Sequence, residues 1–394
     1  MDPGSGDPTD RFSLVVGGPF HAILRRLGLV GADQLPTRRA ALGLALLAWL
    51  PPALLAVVQS LADDRYSGWG YFTDPTVHTR YLVAIAAMIA TERYANGRLV
   101  LLAREFRESQ ILSPEALPGF ARALDIADRR SSSRLAEAIL AAGALVWSGV
   151  TASYAVELAG SSWEGTGAAG EVVLSWAGEI ARFLSAPLFI FLALRWIWRF
   201  LVWTGLLVRI SRLPLQLTPL HPDHSAGLGF LAIYPSIFSG FVFALSCVIS
   251  SGFMKALGLE HFSPQTVGFA LAGWLVLVLL LFLGPMLAFA GPLFAVRERA
   301  LLEYGRLANQ HHLAFHRKWI GEARSGEDLM GSSDASSASD LNASVQMVRE
   351  LRFVPIDAAA VIQLLVAARV PLLAVVSTQI PLIDLARWIV STLL

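Results

Sequence analysis

The chain has 394 residues, 55% of them hydrophobic and only 15% charged, with 31 basic against 30 acidic side chains. That balance, with a mean hydropathy of +0.56 and long runs free of Asp, Glu, Lys and Arg, excludes a string of ordinary soluble domains and gives no footprint for nucleic acid. It predicts an all-α, polytopic bundle in a lipid bilayer. The single cysteine, Cys247, excludes an intrachain disulfide and a CxxC metal site.

A hydrocarbon core of about 30 Å takes roughly 20 helical residues. Residues 1–39 read as a polar cytoplasmic segment. Its apolar patch is broken by His21, Arg25 and Arg26 and lacks a cleavage site, so it is not a signal peptide. The membrane bundle is expected over residues 40–320. A first crossing at 40–61 is expected to kink at Pro51-Pro52. A second starts at Tyr81, but its uncharged part ends at Thr91, so it must carry Glu92, Arg93 or Arg98 into the bilayer or its edge. An Arg-rich connection with short amphipathic helices follows at 103–134, then a third crossing at 138–156 between Glu137 and Glu157. The Gly/Ser/Trp loop at 159–170 has no basic residue. The next apolar stretch, 172–210, is longer than one crossing needs; it is tilted, broken at Pro187, or extended beyond the bilayer.

A fifth crossing at 228–254 contains Pro235. The sixth, 262–296, should bend at Gly284-Pro285 and Gly291-Pro292 and continue as a charged helix carrying His311, His312 and His316. Residues 321–343 read as a flexible Ser/Asp-rich linker. Residues 344–394 read as an amphipathic piece and a final segment interrupted by Pro371 and Pro381. That segment is taken as one span, with a re-entrant hairpin as the alternative. The total is about seven hydrophobic helical segments. Basic residues crowd the N-terminus and alternate loops, which places the N-terminus in the cytoplasm.

Three stretches carry a resemblance. They are Pro219-Leu-His221-Pro-Asp223-His-Ser-Ala-Gly227-Leu-Gly229-Phe-Leu231, the run from Ser337 through Arg349-Glu-Leu-Arg352 to Pro355, and Pro371-Leu-Leu with Ile380-Pro381-Leu-Ile-Asp384. Together they resemble a family of uncharacterised bacterial multi-pass membrane proteins with an HPDxxGGLGF-type signature. Ala226 stands where that signature has its first glycine. The resemblance implies a multi-pass protein of the bacterial inner (cytoplasmic) membrane and implies no chemistry.

Two constellations offer chemistry. His221, Asp223 and His224 are three potential ligands within four residues, and His312 and His316 share a helix face four residues apart, a set that suits a divalent metal. The plainer expectation is a structural turn in which Asp223 or Ser225 caps the next helix and Gly227 and Gly229 allow close approach. An anion at that helix start is a lesser option, since Asp223 opposes it. The second constellation is arginines in apolar segments: Arg195, Arg199 and Arg369, with Glu92 and Glu179 as internal counter-charges and Glu179 pairing with Arg182. The run Arg195-Trp-Ile-Trp-Arg199-Phe-Leu-Val-Trp203 also reads as an interfacial belt whose arginines reach to headgroups.

No P-loop, GxSxG or HExxH motif occurs. The leading expectation is therefore non-enzymatic: a channel- or transporter-like protein with a substrate or anion pathway lined by Arg369, Arg199, Arg195 and Glu92. The alternatives are a membrane-embedded metal-dependent enzyme using the HPDH motif, and a scaffold or sensor acting through cytoplasmic loops. No cofactor is expected beyond that metal. The partners expected are lipid, and either another copy of the chain or a protein met by its loops.

Overall fold

The computed structural model describes residues 9, 12–63, 68–159, 161–168, 171–258, 263–321 and 333–379. The fold is an all-α bundle with one small sheet. In chain order the longer helices are α1 (Gly18–Arg26), α2 (Arg38–Ala62), α3 (Ile85–Glu108), α4 (Leu117–Ser131), α5 (Arg134–Ala159), α6 (Ala186–Ile210), α7 (Ser239–Gly258), α8 (Pro264–Leu283), α9 (Ala290–Trp319), α10 (Ser333–Arg349) and α11 (Ala358–Gln379).

Among the described residues six helical stretches, not seven, are long and apolar enough to cross a membrane. They are Arg38–Ala62, Leu117–Thr151, Trp176–Ile210, Gly229–Gly258, Gln265–Trp319 and Ala358–Ser377. The crossing expected from Tyr81 is not among them, because Glu92, Arg93 and Arg98 dilute it. Its helix is instead the innermost element. A π-helical turn, His78–Ala84, leads into α3, which packs against α2, α6 and α7. Tyr81, Ala84, Ile85, Met88, Ile89, Glu92, Ala95 and Leu99 are all buried. Five of the other helices, α2, α5, α6, α8 and α11, expose large apolar side chains on their outer faces, among them Leu46, Leu145, Leu201, Phe269 and Val366, as a bilayer environment asks. At one end Arg93 pairs with Asp33.

The prolines are absorbed by specific partners. α2 runs through Pro51 and Pro52 without a break. Pro52 has no N–H for the carbonyl four residues back, and Ser185 Oγ donates to that Ala48 carbonyl at 2.5 Å instead. Pro187 cannot donate to Phe183, and just ahead of it the helix widens into a π turn, Ala181–Ser185, between a short helix, Trp176–Ile180, and α6. Gly284-Pro285 opens a 3-10 turn, Gly284–Phe289, between α8 and α9. α11 continues as helix through Pro371. Pro381, Asp384 and Arg387 lie outside the described residues.

Two expectations of irregular chain change. The loop after α5 forms a three-stranded antiparallel sheet, β1 (Ser161–Ser162), β2 (Gly165–Ala168) and β3 (Glu171–Leu174). The Ser/Asp-rich linker is helical from Ser333, because α10 packs along α9 and Asp334 in its first turn accepts from Lys318 Nζ at 2.8 Å and Trp319 Nε1 at 3.1 Å.

Candidate functional site

The arginines of α6 do not reach for headgroups. Arg195 and Arg199 are one helical turn apart and face the interior, each less than 5% exposed. Arg195 donates from Nη1 to Glu92 Oε1 at 3.0 Å and from Nε to Glu137 Oε1 at 3.1 Å. Arg199 donates from Nη1 to the same Glu92 oxygen at 2.7 Å. Two cations and two anions thus cancel inside the bundle, which is how ionisable groups persist at such depth. The segment before α1 closes the cluster. The Val15 carbonyl accepts from both arginines at 3.5 Å, the Phe20 N–H donates to Glu137 Oε2 at 2.8 Å, and the Phe20 ring lies 4.8 Å from the Arg195 guanidinium. Glu92 Oε2 is buried and has no hydrogen-bond partner. The cluster is sealed and self-neutralised; it does not line an open pathway.

Arg369 stands on an exposed face of α11 and lines neither of the cavities described next. Glu179 and Arg182 do not pair with each other.

A cavity of about 250 Å³ lies at the end of the bundle under the sheet. Both π turns open onto it and each supplies one arginine: Arg80 from His78–Ala84 and Arg182 from Ala181–Ser185. π turns cluster at functional sites because the extra residue re-aims side chains. The walls are apolar, with Trp147, Phe189 and Ile190, and Arg80 sits 6.0 Å from the Phe189 ring. Neither guanidinium is within ion-pairing distance of a carboxylate among the described residues, and Arg182 Nε is buried without a partner. The hydroxyls nearby are already committed, Ser148 to the Arg182 carbonyl at 2.8 Å and Thr151 to the Trp147 carbonyl at 2.9 Å. Arg80 meets the neighbouring Tyr81 side chain, and the donor left without a partner among the described lining residues is Arg182 Nε.

Glu164, at the turn between β1 and β2, is the one carboxylate in the lining among the described residues. Its backbone is clamped: Ser175 N–H donates to the Glu164 carbonyl at 2.9 Å. A Cβ on Gly178 would lie 2.0 Å from that same oxygen, so only glycine allows the approach. Next door, Asp74 accepts from Lys255 Nζ at 2.7 Å, Trp163 Nε1 at 3.1 Å and the Thr76 hydroxyl at 2.6 Å. Removal from water pushes the Glu164 pKa up. Lys255 and Arg80 oppose that rise without cancelling it, and Asp74 adds to it.

The HPDH turn lies at the opposite end. The Asp223 carboxylate accepts from the N–H groups of Ser225 (2.8 Å), Gly227 (3.2 Å) and Gly229 (2.7 Å), and stands 2.9 Å from His221 Nδ1. A Cβ on Gly229 would lie 2.7 Å from Asp223 Cβ. Ala226, where the resemblance expects glycine, has φ +54°, the left-handed region that glycine favours. Since Asp223 takes these amides itself, they are not offered to an external anion. Burial alone would raise the Asp223 pKa, but the three amides and His221 outweigh it and hold it below the usual carboxylate range.

Asp223→Ala is expected to cost about 2 kcal/mol, the scale of hydrogen bonds to a charged group, measured by thermal unfolding in detergent. With a depressed folded pKa, this stabilisation is fully present above an ordinary Asp pKa near 4 and is lost as pH falls through the lower folded value. The gap between wild type and variant should therefore shrink toward pH 3.

The histidines find separate partners. His224 Nδ1 lies 3.9 Å from Glu350, and His312 Nε2 is 3.0 Å from Asn342 Oδ1 on α10. Among the described residues no three His, Cys, Asp or Glu side chains, including His221 and His316, are grouped to hold a metal. The turn borders a wide cleft of about 740 Å³ between α3 and the start of α11, with Arg98, Glu105, Arg352 and Asp357 in its lining. Two of the resembling stretches meet there, since the Arg352 N–H donates to the His224 carbonyl at 2.7 Å.

No family model, curated protein or solved structure matches the chain.

Proposed function

We propose that this chain is a transporter-like membrane protein that takes a small organic anion at the cavity under the sheet. The observation that carries the reading is the pair of π turns on two different helices, each aiming an arginine with no carboxylate partner among the described residues into one apolar-walled cavity. Two guanidiniums in such a place select for negative charge. Trp147, Phe189 and Ile190 suit a short apolar tail on the anion. Basic residues crowd the other end of the bundle, so this cavity faces away from the cytoplasm. The inner helix α3 runs between the two ends of the bundle beside the six apolar stretches, since α2 ends beside the sheet and α4 begins at the far end.

α3 and its π turn touch both the cavity (Arg80, Tyr81) and the cleft at the other end (Tyr94, Arg98, Glu105), and between them Ala84, Ile85, Met88 and Ile89 pack with no exposure. A closed helix with a recess at either end is the form that alternating access requires. This moves the expected pathway away from Arg369, Arg195 and Arg199, which are exposed or already paired.

Isothermal titration of propanoate into the protein in lipid nanodiscs tests the reading. Saturable binding to one site per chain is expected, with propylammonium failing to bind. Equal or stronger binding of the cation sinks the proposal.

A further inference from the structure

We propose that Glu164 is a proton site of the same cavity, so that the anion and a proton bind together. This rests on the anion reading above and adds its coupling. Glu164 shares this cavity with Arg80 and Arg182, and its carboxylate makes no hydrogen bond to another described residue. When ionised it is an internal anion that competes for the two guanidiniums; when protonated it leaves them to an incoming ligand.

The groups facing it come from every neighbouring element. Arg80 and Tyr81 belong to the first π turn and Arg182 to the second. Asp74 comes from the segment before α3, and Lys255 from the end of α7. Lys255 is spent on Asp74 at 2.7 Å. His78, on the same π turn as Arg80, is held between the Trp49 indole N–H (3.2 Å) and the Phe72 carbonyl (2.8 Å) and does not line the cavity. Glu164 is thus the group whose charge can change while facing the arginines. Its upward displacement by burial brings that change toward working pH. The contacts of Gly178 and Ser175 with its carbonyl hold the Glu164 backbone at the edge of the cavity. Linkage is reciprocal: whatever protonation adds to anion affinity, anion binding adds to proton affinity.

The probe is propanesulfonate, whose own charge does not change with pH. With full-length protein in nanodiscs, the wild-type Kd is expected to rise up to about tenfold per pH unit once pH exceeds the Glu164 pKa, the limit for one linked proton. Glu164→Gln is expected to bind at high pH as tightly as wild type does at low pH, with no slope. Titrating wild type in two buffers of different ionisation enthalpy should also show uptake of up to one proton per anion, a measurement that needs no variant. Equal slopes in the two proteins, or no proton uptake in the sloping range, overturn the coupling while leaving the anion site standing. Absence of sulfonate and propanoate binding at every pH removes the anion site and the coupling with it.

Discussion

Glu92→Gln should lose about 3–5 kcal/mol of stability, the range found when one member of a buried ion pair is removed and its partner is left charged. Glu92 Oε1 is the acceptor for both Arg195 and Arg199, at 3.0 and 2.7 Å, so neutralising it leaves two guanidiniums against Glu137 alone. That loss is a large share of a typical folding free energy of about 5–15 kcal/mol. Arg199→Gln should also destabilise, with the opposite residual charge. The double variant Glu92→Gln/Arg199→Gln restores neutrality and should recover much of the loss, a coupling that a double-mutant cycle reads directly. Denaturant titration in detergent micelles measures all four proteins. Additive losses in the double variant would show that charge balance does not hold the cluster together.

The second large effect concerns affinity. Arg80→Gln and Arg182→Gln should each weaken propanoate binding by about tenfold to a hundredfold, from roughly 1.5–3 kcal/mol for a charge-assisted contact and 1.4 kcal/mol per decade. The double variant should show little or no saturable binding by calorimetry. Because neither guanidinium is paired with a carboxylate among the described residues, the thermal unfolding of these variants should stay within roughly 1 kcal/mol of wild type. Wild-type affinity in the double variant would exclude the cavity as the anion site.

The membrane character and most helices were legible in the sequence because apolar runs of 20 residues have few other uses. The positions of Pro187 and Gly284-Pro285 also announced departures from regular helix, although not their form. The fate of Arg195 and Arg199 was half legible. Glu92 stands out in the sequence as an internal counter-charge, but an interfacial belt fits the same run and Glu137 reads only as the edge of a crossing. Their run of tryptophans has the composition of an interfacial belt, and their partners lie 103 and 58 residues away for Arg195 and 107 for Arg199. Spacing along one chain carries no sign of such a pairing. α3 was legible as helix, but its place at the centre was not. An interior helix can carry Glu92 only because another helix supplies the counter-charge, and that is a tertiary fact. The cavity under the sheet was hidden for a similar reason. Arg80 and Arg182 lie 102 residues apart, and the turns that aim them arise from packing. By contrast, the capping role of Asp223 followed from local chemistry alone, since its three amides lie within six residues of it.

The Val15 carbonyl, which accepts from Arg195 and Arg199 at once, sets an order on biogenesis. As the chain leaves the ribosome, Glu92 and Glu137 emerge well before α6, so the acidic half of the cluster waits without its cations. It must be sheltered at the membrane edge or in the insertion machinery until α6 arrives. Only then are all the contacts of residues 13–20 available, since Asn96, Ser131 and Glu137 are already in place before α6. Residues 13–20 therefore complete their docking only once α6 is in place, although they precede α2 to α6 in the chain.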